Sequence, residues 1–198
     1  MCKKRVLLRF LSILFVAAFF AGCAGMAAKP TESNFQAPVI SLDNMEVAHA
    51  FGYWYFSKKV KPTKGSPDNV GAPLDLAFTF NVENPNPYPV QMESLKFSVL
   101  FEEFELNTVS THATQWIPPG MTNQVLVHAH FDVRQSLLSL LVTGGFKLKE
   151  KGTNAWAALE KWWTGIPNYE IPVTVSGGAA VFKADSLVKV STFEATFP

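Results

Sequence analysis

The 198-residue chain is 48% hydrophobic and only 17% charged, with 17 phenylalanines, a folded profile that excludes an intrinsically disordered polymer. The formal net charge of +1 includes Lys3, Lys4, Arg5 and Arg9 at the extreme N-terminus, so the remainder is slightly acidic and carries no basic stripe. Nucleic acid is thereby excluded as an expected partner, and the length fits one domain.

The four basic residues open a targeting segment. Phe10 to Phe20 is apolar apart from Ser12 and too short for a membrane span of about 20 residues. Phe20-Ala21-Gly22-Cys23 resembles the lipobox of bacterial lipoprotein precursors, with Phe where Leu is commonest. The bland alternatives are a plain secretory signal and an uncleaved anchor helix. The resemblance implies a signal peptide over residues 1–22, lipid attachment at Cys23, and a chain tethered to a membrane without spanning it. Acyl chains contribute about 0.8 kcal/mol per buried methylene, so two or three of them anchor stably. Ala24 after the cysteine implies, in a two-membrane bacterium, an envelope protein held at the outer membrane and facing the periplasm. Cys2, the other cysteine, lies in the removed segment, so no disulfide and no cysteine metal site is expected.

Residues 23–36 are small and polar, a lipidated tether, and the domain is expected over 37–198. Pro38 to Val47 alternates enough for a first strand. Phe51-Gly-Tyr-Trp-Tyr-Phe56 then runs into Lys58, Lys59, Lys61 and Lys64, aromatic rings beside ammonium groups. Tyr53, Trp54, Tyr55, Lys58 and Lys59 are therefore candidate membrane contacts, against the plainer reading of ring packing beside solvated lysines.

Leu74, Leu76, Phe78, Phe80 and Val82 alternate with polar or small residues, the period of a strand with one buried face. Pro85, Pro87 and Pro89 stop it by removing donors, while Asn84 and Asn86 suit a turn. Alternation resumes at Leu95, Phe97, Val99 and Phe101. Val82, Asn84, Pro85 and Asn86, between two such strands, resemble the motif of the type 2 late embryogenesis abundant family, also called the water stress and hypersensitive response domain. The resemblance covers about residues 35–198. It implies an immunoglobulin or fibronectin-like antiparallel β-sandwich of about seven strands with a helix, and a role in stress or desiccation protection.

Downstream, Phe104 to Trp116 reads as one or two strands, Pro118-Pro119-Gly120 as a turn, and Asn123 to Val133 as a strand. Val125, Val127, Ala129, Phe131 and Val133 share one face of that strand; His128, His130 and Asp132 share the other. Such a face could bind a metal, but the further ligand to hand is His112, whose position the sequence does not fix, so no metal and no cofactor is expected. Arg134 to Val142, with Leu137, Leu138, Leu140 and Leu141, reads as a short buried helix ended by Gly144-Gly145. A second helix is expected from Thr153, as N-cap, to Thr164, with Trp156, Leu159 and Trp163 at core spacing and Gly165 and Pro167 as its stop. Adjacent Trp162 and Trp163 should not both fit one core, so one would cover a groove. The chain closes with strands Tyr169 to Ser176, Ala179 to Lys183 and Leu187 to Phe197, the first two joined by a turn at Gly177-Gly178.

No nucleophile elbow, phosphate-binding glycine loop or well-spaced metal motif is present, so the expected class is not an enzyme. Two functions follow. One is a monomeric, membrane-tethered stress-protection domain meeting lipids or envelope proteins through its surface. The other is a lipid-binding or lipid-transfer module with a hydrophobic groove between sheet and helix, lined by Leu138 and Trp163. A third, docking of partner proteins on a sheet edge, has no specific residue behind it.

Overall fold

The structure is a computed structural model that describes residues 29–52 and 71–197. It is mainly β, as the alternation predicts. Strands β1 (Val39–Ala50), β2 (Pro73–Glu83) and β6 (Thr122–Asp132) form one antiparallel sheet in the order β1-β2-β6. The second sheet has the order β4-β3-β7-β8, from β3 (Val90–Phe101), β4 (Phe104–Thr111), β7 (Val173–Ala184) and β8 (Leu187–Phe197). The short β5 (Gln115–Ile117) pairs with the start of β3.

The alternating residues of β2, β3, β6 and β7 fill the space between the sheets. Phe78, Phe80 and Phe97 are fully buried and meet edge to face, with ring centroids 5.4 Å apart for Phe78 and Phe97 and 5.1 Å for Phe80 and Phe97. Phe193 of β8 joins them, 5.2 Å from Phe80. Removing one such ring costs about 3–5 kcal/mol, so the aromatic centre fixes how the sheets stack.

Between β6 and β7 the chain forms a helical arm at one end of the sandwich. Helix α1 (Val133–Ser139), a wide π turn (Leu140–Gly144) and helix α2 (Gly145–Glu150) run without a break. Helix α3 (Ala155–Gly165) and a 3-10 turn (Ile166–Asn168) follow. Four expectations need correction here. Gly144-Gly145 does not stop the helix, because both glycines take right-handed helical angles and the chain passes through them. The N-cap of α3 is Asn154, not Thr153, and its side chain accepts from the amides of Trp156 and Ala157 at 3.1 Å each. Trp156 lies outside the core, 52% exposed. Trp162 and Trp163, in contrast, are both buried. Phe101 sits between them, with centroids at 5.9 and 6.1 Å, so neighbouring rings on one helix straddle one residue instead of competing for one pocket.

Gly177-Gly178 is likewise not a turn but an irregularity within a continuous β7, whose ladder with β8 shifts between Val175 and Gly178. A side chain at Gly178 would meet the Phe193 carbonyl oxygen at 2.6 Å, so glycine is needed for close approach of β8. The reversal comes later, at Asp185, whose φ is 53°.

At the opposite end from the helices, Asn84 and Asn86 are buried and hydrogen bonded on every side. Asn84 Nδ2 donates to the carbonyls of Tyr88, Ile117 and Pro118 at 2.9–3.1 Å. Its Oδ1 accepts from the backbone and side-chain amides of Asn86. Asn86 in turn pairs with both backbone groups of Gln36, at 2.8 Å each. One polar knot thus joins the incoming chain, the β2–β3 turn and the β5–β6 turn. Replacing Asn84 by Leu would strand several buried groups, so the unfolding free energy in urea should fall by about 3 kcal/mol or more. A loss under about 1 kcal/mol would mean that the knot does not hold this end together.

Candidate interaction site

The helical arm begins at Asp132, whose carboxylate accepts from the Arg134 amide at 2.9 Å and caps α1. An ordinary α-helix rotates residues spaced by four off one line; the π turn slows that rotation and keeps Leu140, Gly144 and Leu148 all facing inward. Gly144 allows the contact to be close, since a Cβ there would lie 3.1 Å from Leu140 Cδ2 and 3.3 Å from Phe104 Cδ1.

The outer side is also apolar. Leu138, Leu141, Val142 and Phe146 are 64%, 59%, 82% and 90% exposed, which overturns the expectation of a buried helix. Single exposed apolar residues need no account, but four within one short helical run form a patch of the kind that meets partners. Beside it Lys147 donates to the Glu103 carbonyl at 3.0 Å and pairs with the Glu103 carboxylate, as does Lys151. One carboxylate offsets only one of these two charges, so the patch is apolar with a positive edge.

Beneath the arm, between its π turn and β4, lies a cleft of about 560 Å³. Phe104, Leu106, Leu140 and Gly144 line it together with the polar and charged Glu103, Glu105, Asn107, Ser139, Thr143 and Lys147, so its lining is mixed. This is where a groove between sheet and helix exists. It is not at the tryptophans: Trp163 is 3% exposed and donates its indole N–H to the Ala72 carbonyl at 2.7 Å, making it a packing anchor.

Leu138 is therefore the one candidate lipid contact that the described residues place on the surface. Cys23, Tyr53, Trp54, Tyr55, Lys58 and Lys59 lie outside the described residues. At the helical end the Phe51 amide donates to the Pro73 carbonyl at 2.8 Å and the Val133 amide to that of Ala72 at 3.3 Å. Val82, Asn84 and Asn86 of the motif are interior, with Pro85 exposed, so these positions are structural.

On the outer face of β6, His128 and His130 turn to Asp75 of β2, not to Asp132. His128 Nδ1 lies 3.2 Å and His130 Nδ1 3.4 Å from Asp75 Oδ1. Strand pairing places Asp75 opposite both His130 and His49, a juxtaposition that alternation alone cannot show. Among the described residues no group of three or more His, Cys, Asp or Glu is disposed to hold a metal ion.

No family model matches this chain, and no curated protein sequence matches it. It is similar to two solved structures. One is a protein from Archaeoglobus fulgidus, with 12% identity and a TM-score of 0.39 over 79% of this chain and 94% of that one. The other is the Northeast Structural Genomics Consortium target SoR45, with 9% identity and a TM-score of 0.44 over 82% of this chain and 86% of that one.

The helical arm rests on Glu102, at the β3–β4 turn with φ 55°, whose carboxylate takes a hydrogen bond from Trp162 Nε1 at 3.1 Å and an ion pair from Lys161. Burial alone would raise its pKa, but the Lys161 and Trp162 hydrogen bonds and the charges of Lys161 and Lys151 outweigh it and hold the group below its ordinary value. A lowered folded pKa means that the carboxylate stabilises the fold above the unfolded value and loses that effect as pH falls through the folded one. The stability gap between the native chain and Glu102→Gln should thus be full at neutral pH and close on acidification below the ordinary glutamate range. A gap that stays constant in urea titrations from pH 7 to pH 3 would show that the ionised carboxylate is not what secures the arm.

Proposed function

We propose that this chain is an envelope lipoprotein tethered through Cys23, with a non-enzymatic domain of the type 2 late embryogenesis abundant kind that protects envelope proteins by surface contact during water loss. The observation that carries this reading is the exposed stripe of Leu138, Leu141, Val142 and Phe146. It stands at the end of the sandwich remote from where the N-terminal segment joins, presented outward from the anchor.

Physically, drying removes the water that keeps apolar surface costly to expose and brings partly opened proteins into contact. A stripe of a few side chains contributes a few kcal/mol when covered, enough for transient and unselective association. Lys147 and Lys151 beside it share one carboxylate and leave a modest positive charge at its edge. Protection of this type needs many copies and no deep pocket.

The lipid-binding alternative rests on the cleft of about 560 Å³, whose lining mixes Phe104, Leu106 and Leu140 with polar and charged groups. Native-state purification followed by mass spectrometry separates the two: stoichiometric copurifying lipid, lost in Leu140→Asn, would favour the carrier.

For the protective reading, the acylated chain in vesicles should preserve more activity of a labile enzyme through drying and rehydration than an equal mass of inert protein. Leu141→Ser combined with Phe146→Ser, both at exposed positions, should remove roughly half of that gain or more while leaving the thermal midpoint nearly unchanged. Undiminished protection by the double variant would rule out the stripe as the working surface.

A further inference from the structure

The opposite end of the molecule carries a second apolar feature of a different kind. β5 and β6 are joined across the end of the sandwich by Pro118-Pro119-Gly120-Met121, and Trp116 and Met121 flank this tip at 58% and 56% exposure. Residues 116–121 contain no charged side chain.

Most of the backbone of the tip is satisfied from within, the carbonyls of Pro119 and Gly120 excepted. Pro118 and Pro119 have no N–H. Gly120 donates to the Asn86 carbonyl at 3.2 Å and Met121 to that of Pro118 at 3.2 Å. The carbonyls of Ile117 and Pro118 accept from Asn84 Nδ2, that of Met121 from the Asn84 amide at 2.9 Å, and that of Trp116 from Asn123 Nδ2 at 2.9 Å. A loop with most of its backbone paired leaves bulk water at reduced cost, and its two remaining carbonyls can be met by water in the headgroup layer, which suits interfacial docking and not entry into the hydrocarbon. Trp then suits the headgroup layer, with an apolar ring and one N–H.

The same knot fixes where the anchor must be. Asn86 holds Gln36, and Asn34 Nδ2 donates to the Lys29 carbonyl at 3.0 Å, so the N-terminal segment comes in beside the tip. Five residues lie between Cys23 and Lys29, six steps of chain with a reach of at most about 20 Å. The helical end is about 36–40 Å away along strands of 11 and 12 residues.

We infer that the Trp116–Met121 tip docks in the interfacial layer of the same bilayer that holds the N-terminal lipid, setting the domain upright on its anchor. This rests on the Cys23 tether. It sets a membrane contact at a tip that the motif residues Asn84 and Asn86 build. Because the tip is uncharged, docking requires no anionic lipid.

The test uses the full-length chain after processing, reconstituted in phosphatidylcholine vesicles with and without phosphatidylglycerol or bromine-labelled acyl chains. Met121→Cys and, separately, Leu138→Cys carry a polarity-sensitive dye; acylation leaves Cys23 unreactive. Dye at 121 should shift to the blue and be quenched by bromolipid, equally in both lipid mixtures and in high salt, while dye at 138 should report water. Adding Trp116→Ala should weaken quenching at 121 at least about threefold with unchanged circular dichroism. Dye at 121 remaining in water on a chain whose mass shows an acylated Cys23 would overturn the docking inference alone. An unacylated Cys23 would overturn the tether and, with it, the shared bilayer.

Discussion

The hydrogen bonding of Asn84 and Asn86 is the constraint on which the rest of the molecule depends. Two buried amides serve three pieces of chain far apart in sequence: the incoming segment at Gln36, the turn after β2, and the turn between β5 and β6. Each buried polar group there has a partner, so the knot costs little to bury and much to break. Lys189 and Ser191 of β8 reinforce it by donating to the carbonyls of Phe35 and Pro38. The N-terminal segment is thus stitched to both sheets before the sandwich begins. Any force applied through the proposed tether would arrive at this hydrogen-bonded knot.

From that follows a molecule with two unlike ends. The knot end is rigid and uncharged at its tip and lies nearest the proposed anchor. The helical end is secured differently, by Trp162 and Trp163 around Phe101, by the Trp163 bond to Ala72 and by the Glu102 contacts beneath α3. Its outer helix follows a π turn that keeps one apolar face inside and leaves another outside. A turn of this kind gives up regular helical bonding, and such irregularities gather where a surface has work to do. Both ends carry exposed apolar side chains, a four-residue stripe on the helical arm and Trp116 with Met121 at the tip.

Much of this was legible in the sequence where the cause is local. The alternation of Leu74 to Val82, of Leu95 to Phe101 and of Val125 to Val133 gives strands with the right faces, because burial of one face is a property of each strand alone. What escaped depends on partners distant in sequence. Asn84 and Asn86 read as turn formers, and Asn86 does bond Asn84 locally, but their reach to Gln36 and Ile117 needs the folded chain. Gly144-Gly145 and Gly177-Gly178 read as breaks, yet glycine is also the residue that permits close packing, and here Leu140 with Phe104, and Phe193, require it. The exposed stripe had a signal that was passed over: Leu138, Leu141, Val142 and Phe146 keep helical spacing across the supposed stop.

The central claim is that the domain stands on its knot end with the helical arm pointing away from the bilayer. Neutron reflectometry of the acylated chain on a supported bilayer tests this most directly. An upright domain should give a protein layer at least about 40 Å thick, set by the length of the strands and the arm above them. A layer only about 25 Å thick, with helix and sheet both against the headgroups, would contradict it.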